Sequence, residues 1–247
     1  MNIQSYLKNI DLKLGIVLAL PLVLIFIGCK SSELREIADS LQQVKKPLDN
    51  KTVVAGLKQA LEIGISNSVA KTGRIGGFSD NPLIHIAIPQ ELNKVESTLR
   101  KIGLNQYLDR FERQMNRAAE SASIEAKRIF ISSISQMSFS GAMQILDGQD
   151  DAATQYFKQT TSEQLRSKFR PVIQRSMHKV GFYQDYKTLL KTYDSIPFTR
   201  KPDLNIESYI LQKTLDGLFL LVAQEEKKIR QDPTARVTDL LHRVFGN

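Results

Sequence analysis

Cysteine is almost missing from this 247-residue chain: Cys29 is the only one. An internal disulfide, a CxxC redox pair and a multi-cysteine zinc site are therefore excluded. Histidine is also sparse. His85, His178 and His242 have no second histidine at i+3 or i+4, and H-E-x-x-H does not occur, so no helix face carries a ready metal site. Solvated or singly hydrogen-bonded histidines are expected instead. Neither G-x-x-x-x-G-K-[ST] nor G-x-G-x-x-G is present. There is no internal repeat and no low-complexity tract. The basic residues are scattered rather than blocked, which argues against a nucleic-acid partner.

A full bilayer span is missing too. Leu14 to Gly28 runs without a charge (LGIVLALPLVLIFIG), shorter than the roughly 20 residues a spanning helix needs, and Pro21 interrupts it. Lys8 and Lys13 precede it, so the segment fits the core of a signal peptide. Its end, Phe26-Ile27-Gly28-Cys29, resembles the bacterial lipobox, with Phe26 where Leu is usual. The resemblance implies that the Cys29 thiol takes a diacylglycerol, that cleavage falls before it and that the new amine is acylated, as by palmitate. Several acyl chains together anchor stably, since each buried CH₂ adds about 0.8 kcal/mol. A lipidated Cys29 also leaves the mature chain without a thiol nucleophile. Lys30 stands where Asp marks inner-membrane retention, so resemblance to that sorting rule implies the outer membrane.

The expected organisation is a signal peptide over 1–28, an anchor and tether with a short helix over 29–50, and one domain over 51–247. Removing 1–28 takes two lysines and one aspartate, so the formal charge falls from +8 to +7. That surplus suits an anionic envelope component or lipid, and equally suits solubility.

Apolar residues recur at helical spacing along almost the whole chain. Leu34, Ile37, Ala38, Leu41 and Val44 form a first stripe, and residues 45–51 read as a hinge. A helix is expected over about 52–71, where Gly56, Ala60, Gly64 and Ser68 make a small-residue ridge for close helix approach. Residues 72–82 are the clearest loop. Ile84, Ile86 and Ile88 then alternate with His85 and Ala87 between Pro82 and Pro89, one short extended piece. Pro89 opens a helix carrying Leu92, Val95, Leu99 and Ile102 on one face. Leu108, Phe111, Met115, Ala118, Ala119 and Ala122 line the next. Further helices are expected over 124–137 and 140–147, and around Ala152 to Phe157. A capping box at Thr161 and Gln164 predicts a helix start there, with a kink at Pro171. Asn205 caps a long helix with Ile206, Ile210, Leu211, Leu215, Leu218, Phe219 and Val222 inward. Asp232-Pro233 predicts the start of the last helix, and Gly246 its stop. The fold class is all-α, a single multi-helix globular domain with at most one short extended segment.

Several strings invite a catalytic reading. Ser176-Met177-His178-Lys179, Ser79-Asp80-Asn81 and Lys71-Thr72-Gly73 carry the S-x-x-K, S-D-N and K-T-G strings of envelope serine acylases. Their order along the chain is reversed, and K-T-G lies at a helix end instead of on a strand. Gly64-Ile65-Ser66-Asn67-Ser68 lacks the last Gly of a nucleophile elbow and reads as helix. Gly73, Gly76 and Gly77 with Arg74 offer backbone N–H groups to an anion, though a plain surface loop is the default. Asp147, Asp150 and Asp151 lack calcium-loop spacing; a Gly148 helix stop and N-capping by Asp150 explain them. No cofactor and no metal is implied. Glu112, Asn116 and Glu120 are four apart beside the apolar stripe. The spacing alone favours a solvated face. The alternative is a buried polar network in which Arg117 meets Glu225, while Glu226 and Arg230 pair at i,i+4; such a network fixes register or holds a polar ligand.

GLKQALEIGISNSV at 56–69, GFSDNP at 77–82, MNRAAE at 115–120, ILDGQDDAATQYF at 145–157, LDGLF at 215–219 and EEKKIRQDPTARVTDLLHRVFG at 225–246 resemble signatures of the bacterial domain-of-unknown-function family 4197. The resemblance spans about Leu57 to Gly246. It implies an envelope protein, often a lipoprotein, and carries no activity or catalytic residue with it. It also shifts Asn116, Arg117 and Glu120 toward a structural network. Two departures are Gly141, where an acidic residue is usual, and Ile124, where Pro is common; the first argues against an essential acid at that position. The expectation is a membrane-anchored, periplasm-facing lipoprotein that binds or supports an envelope component without catalysis. The alternative is a hydrolase or lipid carrier whose site is assembled across helices.

Overall fold

The computed structural model describes residues 49–196 and 203–245. The signal peptide, Cys29, the stripe from Leu34 to Val44 and the Gly246 stop lie outside the described residues. Helices α1 (Asn50–Thr72), α2 (Asn93–Lys101), α3 (Asn105–Ser123), α4 (Ala126–Gln136), α5 (Phe139–Leu146), α6 (Ala152–Lys179), α7 (Phe182–Asp194), α8 (Ile206–Gln231) and α9 (Asp239–Phe245) build an all-α domain. Among the described residues there is no strand, and no single helix is long and apolar enough to cross a membrane.

The central element is α8, which packs on α6, α1 and α3. Its sequence explains the position. Thr214, Leu215, Gly217, Leu218, Phe219, Leu221 and Val222 are all buried, so apolar contact wraps most of the circumference instead of forming one stripe. Asn205 caps it as expected, its Oδ1 accepting from Ser208 N at 2.9 Å. The small-residue ridge of α1 also does what its spacing predicts. A Cβ on Gly56 would stand 2.6 Å from Val244 Cγ2 of α9, and one on Gly64 would touch Glu225 and Ile229 of α8. Phe111 of α3 stacks on Phe182 of α7 at 4.7 Å, and Phe130 of α4 meets Phe157 of α6 edge-on at 5.3 Å.

Four boundaries differ from the sequence reading. No helix starts at Thr161: α6 is continuous from Ala152 to Lys179, through Pro171. Thr161 Oγ1 donates back to Phe157 O within the helix, and Phe157, Thr161, Leu165, Phe169, Ile173 and Met177 form one buried stripe. Asp232 caps only a 3₁₀ turn, Pro233–Ala235. The last helix starts later, where Thr238 Oγ1 accepts from Leu241 N and donates to Gln59 of α1. Ile102 is exposed rather than packed, because α2 ends at Lys101 before the left-handed Gly103. Ile124 is likewise exposed, and α4 begins at Ala126.

Residues 85–89 belong to no helix and join no ladder. Ile84, Ile86 and Ile88 are buried and His85 and Ala87 less so, which is the period-two pattern of the sequence. What replaces the missing strand partner is a side chain of α3.

Candidate functional site

Asn116 is fully buried on α3, 0% exposed. Its Oδ1 accepts from Ile86 N and its Nδ2 donates to Ile86 O, both at 2.9 Å, while Nδ2 also donates to Glu112 O. The primary amide thus reproduces the donor–acceptor pair of a neighbouring strand. One turn later, Glu120 is 3% exposed. Its Oε1 accepts from Phe78 N at 3.2 Å and from Ser79 N and Oγ at 3.4 and 3.3 Å; Oε2 accepts from Arg117 at 3.1 Å. The glycine-rich loop therefore turns backbone N–H groups toward an anion, but that anion is the chain's own Glu120. Gly77 permits the turn, since a Cβ there would meet Thr72 O at 2.4 Å. On the far side, Phe78 and Ile84 press against Gly217 of α8, where an added Cβ would stand 2.8 Å from the Phe78 ring.

Asn116 and Glu120 are thus buried in a network instead of forming the solvated face that spacing alone favoured, but the pairing of Arg117 with Glu225 in the alternative reading does not occur. Arg117 stays with Glu120 on α3. Glu225 faces α1, where it accepts from Lys71 and, at 3.0 Å, from Asn67, with Lys228 at 3.5 Å. Burial pushes the Glu225 carboxyl upward, but the hydrogen bonds from Lys71 and Asn67 and the two lysine charges outweigh it and hold the pKa below the ordinary value. This pairing also commits the lysine of the K-T-G string to structure.

Glu226 and Arg230 do pair at i,i+4, with Arg230 Nη2 at 3.0 Å from Oε1. Their more telling contacts are to helix ends. Glu226 accepts from Ala153 N, Thr154 N and Thr154 Oγ1, each at 2.9 Å, and so caps the N-terminus of α6 from another helix. Asp151, the residue in the N-cap position, makes no side-chain cap. The expected N-capping by Asp150 is absent as well; Asp150 accepts from Gln231. Arg230 donates to Ile145 O and Leu146 O, the last carbonyls of α5. An anion thus sits at a positive helix end and a cation at a negative one, the favourable sense for both macrodipoles. Arg236, which carried no expectation, is buried and caps α8 itself through Ile229 O and Arg230 O.

The expected residues therefore fall into three anchors: Asn116, Arg117 and Glu120 at the loop, Glu225 at α1, and Glu226 with Arg230 between α5 and α6. A family model described as "Protein of unknown function (DUF4197)" matches residues 47–246. The chain belongs to this family. Among curated proteins and among solved structures nothing matches. The DUF4197 match contains all three anchors, so they lie within the family's own domain.

One further constellation sits beside the loop of this DUF4197 domain. His85 Nε2 contacts Glu112 Oε1, and Nδ1 lies 3.0 Å from Ser79 O. The imidazole meets the serine's carbonyl, whereas the Ser79 hydroxyl donates to Glu120. Serine, histidine and carboxylate are near one another, yet the proton path of a nucleophilic triad is not built. Sequence spacing marked Glu112 but not its partner, because His85 lies 27 residues away on a different segment. Among the described residues no three His, Cys, Asp or Glu side chains converge as metal ligands.

Proposed function

We propose that this DUF4197 protein is a non-enzymatic envelope lipoprotein, held by acyl chains on Cys29 at the periplasmic face of the outer membrane, whose helical domain binds or supports an envelope component. The anchor rests on the leader and lipobox-like end of the sequence. The observation that carries the non-enzymatic part is the saturation of the buried acids. Glu120, Glu225 and Glu226 each accept several hydrogen bonds from their own chain and serve as caps and clasps. A general acid or base needs an open hydrogen-bonding direction toward a substrate. The carrier alternative gains no support from the interior. The apolar cavities beneath α1 and α8 measure about 10 Å³ each, against several hundred for a lipid-sized ligand.

The anchor is tested by intact mass of the mature N-terminus and by fractionation. Wild-type chain is expected to begin at a triacylated Cys29 and to sediment with membranes, and Cys29→Ser to lose both properties. A cytosolic chain that retains Met1 defeats the proposal.

A further inference from the structure

α3 carries Arg110, Arg113 and Arg117 at intervals of three and four, on one side of the helix. Facing them, the 73–81 loop presents Ile75 and Asp80, and the cleft between has a volume of about 380 Å³. Three guanidinium groups and the carboxylate of Asp80 line it, and two of the three arginines are paired with carboxylates outside the lining. Arg110 spends one nitrogen on Asp185 at 2.9 Å and Arg117 one on Glu120 at 3.1 Å. Those bonds fix two of the forks in place and leave their other N–H groups uncommitted. Arg113, between them, has no hydrogen bond or ion pair among the described residues. The opposite wall is held still by the same Glu120, which pins Phe78 N and Ser79 N.

Gln114 ties this wall to the rest of the bundle. It lines the same cleft and is 7% exposed. Its Nε2 donates to Val180 O at 2.8 Å and to Asp185 Oδ2 at 3.1 Å, and because both partners are acceptors the amide orientation is fixed. Its Oε1 is buried and accepts no hydrogen bond. That atom is closed to solvent, so it is no contact for a ligand in the cleft.

We propose that this cleft binds a phosphate-type oxyanion. The anionic oxygens meet the arginine forks, whose planar geometry matches phosphate. The source is either a free phosphate or a lipid headgroup. Ile75, 78% exposed at the lip, offers the second source an apolar contact. The inference deepens the binding role proposed above and rests on it.

The test uses the full-length chain in an uncharged detergent, titrated with inorganic phosphate by calorimetry and followed by hydrogen exchange over residues 74–80. Arg113→Gln is expected to weaken binding about tenfold or more, the loss of one charge-assisted contact. It touches no structural bond, so folding is unaffected. Arg128→Gln makes the same charge change on α4 and is expected to leave binding unaltered. Absence of any response both to inorganic phosphate and to phosphatidylglycerol nanodiscs, or equal weakening by both variants, overturns the proposal. Nanodiscs of phosphatidylcholine with and without phosphatidylglycerol separate the sources. Protection only with phosphatidylglycerol assigns the headgroup, and protection only by inorganic phosphate assigns a free ligand. A chain that sediments with membranes through Cys29 but responds neither to phosphate nor to phosphatidylglycerol defeats the cleft alone, whereas a cytosolic chain that binds phosphate defeats the anchor alone.

Discussion

Replacing Glu226 by Ala removes one carboxylate and unpicks two helix ends at once. The carboxylate accepts from Ala153 N, Thr154 N, Thr154 Oγ1, and Arg230 Nε and Nη2. Losing a helix N-cap costs about 1 kcal/mol. Leaving a mostly buried arginine without its counter-ion costs about 3–5 kcal/mol when no other partner remains. Arg230 keeps Ile145 O and Leu146 O, which places its share at the lower end. The expected loss is about 4 kcal/mol, a large part of the roughly 5–15 kcal/mol that holds a domain together. At about 2–4 °C per kcal/mol for a domain of this size, the midpoint falls by about 8–16 °C. Urea unfolding followed by far-ultraviolet circular dichroism measures it, with the m-value unchanged if only native contacts are lost. Arg230→Ala leaves Glu226 its three α6 donors and is expected to cost about 2 kcal/mol. The double variant then falls short of the sum by at least about 1 kcal/mol. A loss under about 1 kcal/mol for Glu226→Ala, or strict additivity in the cycle, refutes the reading of Glu226 and Arg230 as one clasp.

Asn116→Ala strips Ile86 of both backbone partners inside the core; a loss of about 2–3 kcal/mol is expected, with the Ile86 amide exchanging faster while central α8 amides hold. Unchanged Ile86 exchange means the amide bridge does not hold the segment. Glu225→Gln is expected to destabilise at neutral pH, and less so as the pH drops. The folded Glu225 pKa lies below the unfolded value of about 4.3, so its stabilisation is complete above that value and is lost as pH falls through the folded one. Stability curves of both proteins that run parallel through the acid range contradict this.

The helices were legible because their apolar residues keep one period for several turns. Leu108 to Ala122 on α3 and Ile206 to Val222 on α8 are buried as their spacing predicts. Asn205 was legible as a cap because it sits next to the amides it serves. Glu226 was not, since it caps a helix that starts 74 residues earlier, at Ala152. Thr161 misled for the converse reason. Its spacing to Gln164 is that of a capping box, yet its neighbours on both sides continue the α6 stripe, and burial outweighs a local cap. Asn116 and Glu120 look like a solvated face because polar residues beside an apolar stripe read the same whether they meet water or a loop that folds over them.

Sequence periodicity by itself settled the fold class and most of the core, and the leader supplies the case for an anchor. Burial of apolar surface depends on which residues share a helix face, and that is written locally. Only the tertiary structure decided which charge meets which: Arg117 with Glu120 instead of Glu225, Glu225 with Lys71, and Glu226 with the start of α6. Ionic and hydrogen-bonding partners act over a few ångströms, and in a bundle those ångströms separate residues far apart in the chain.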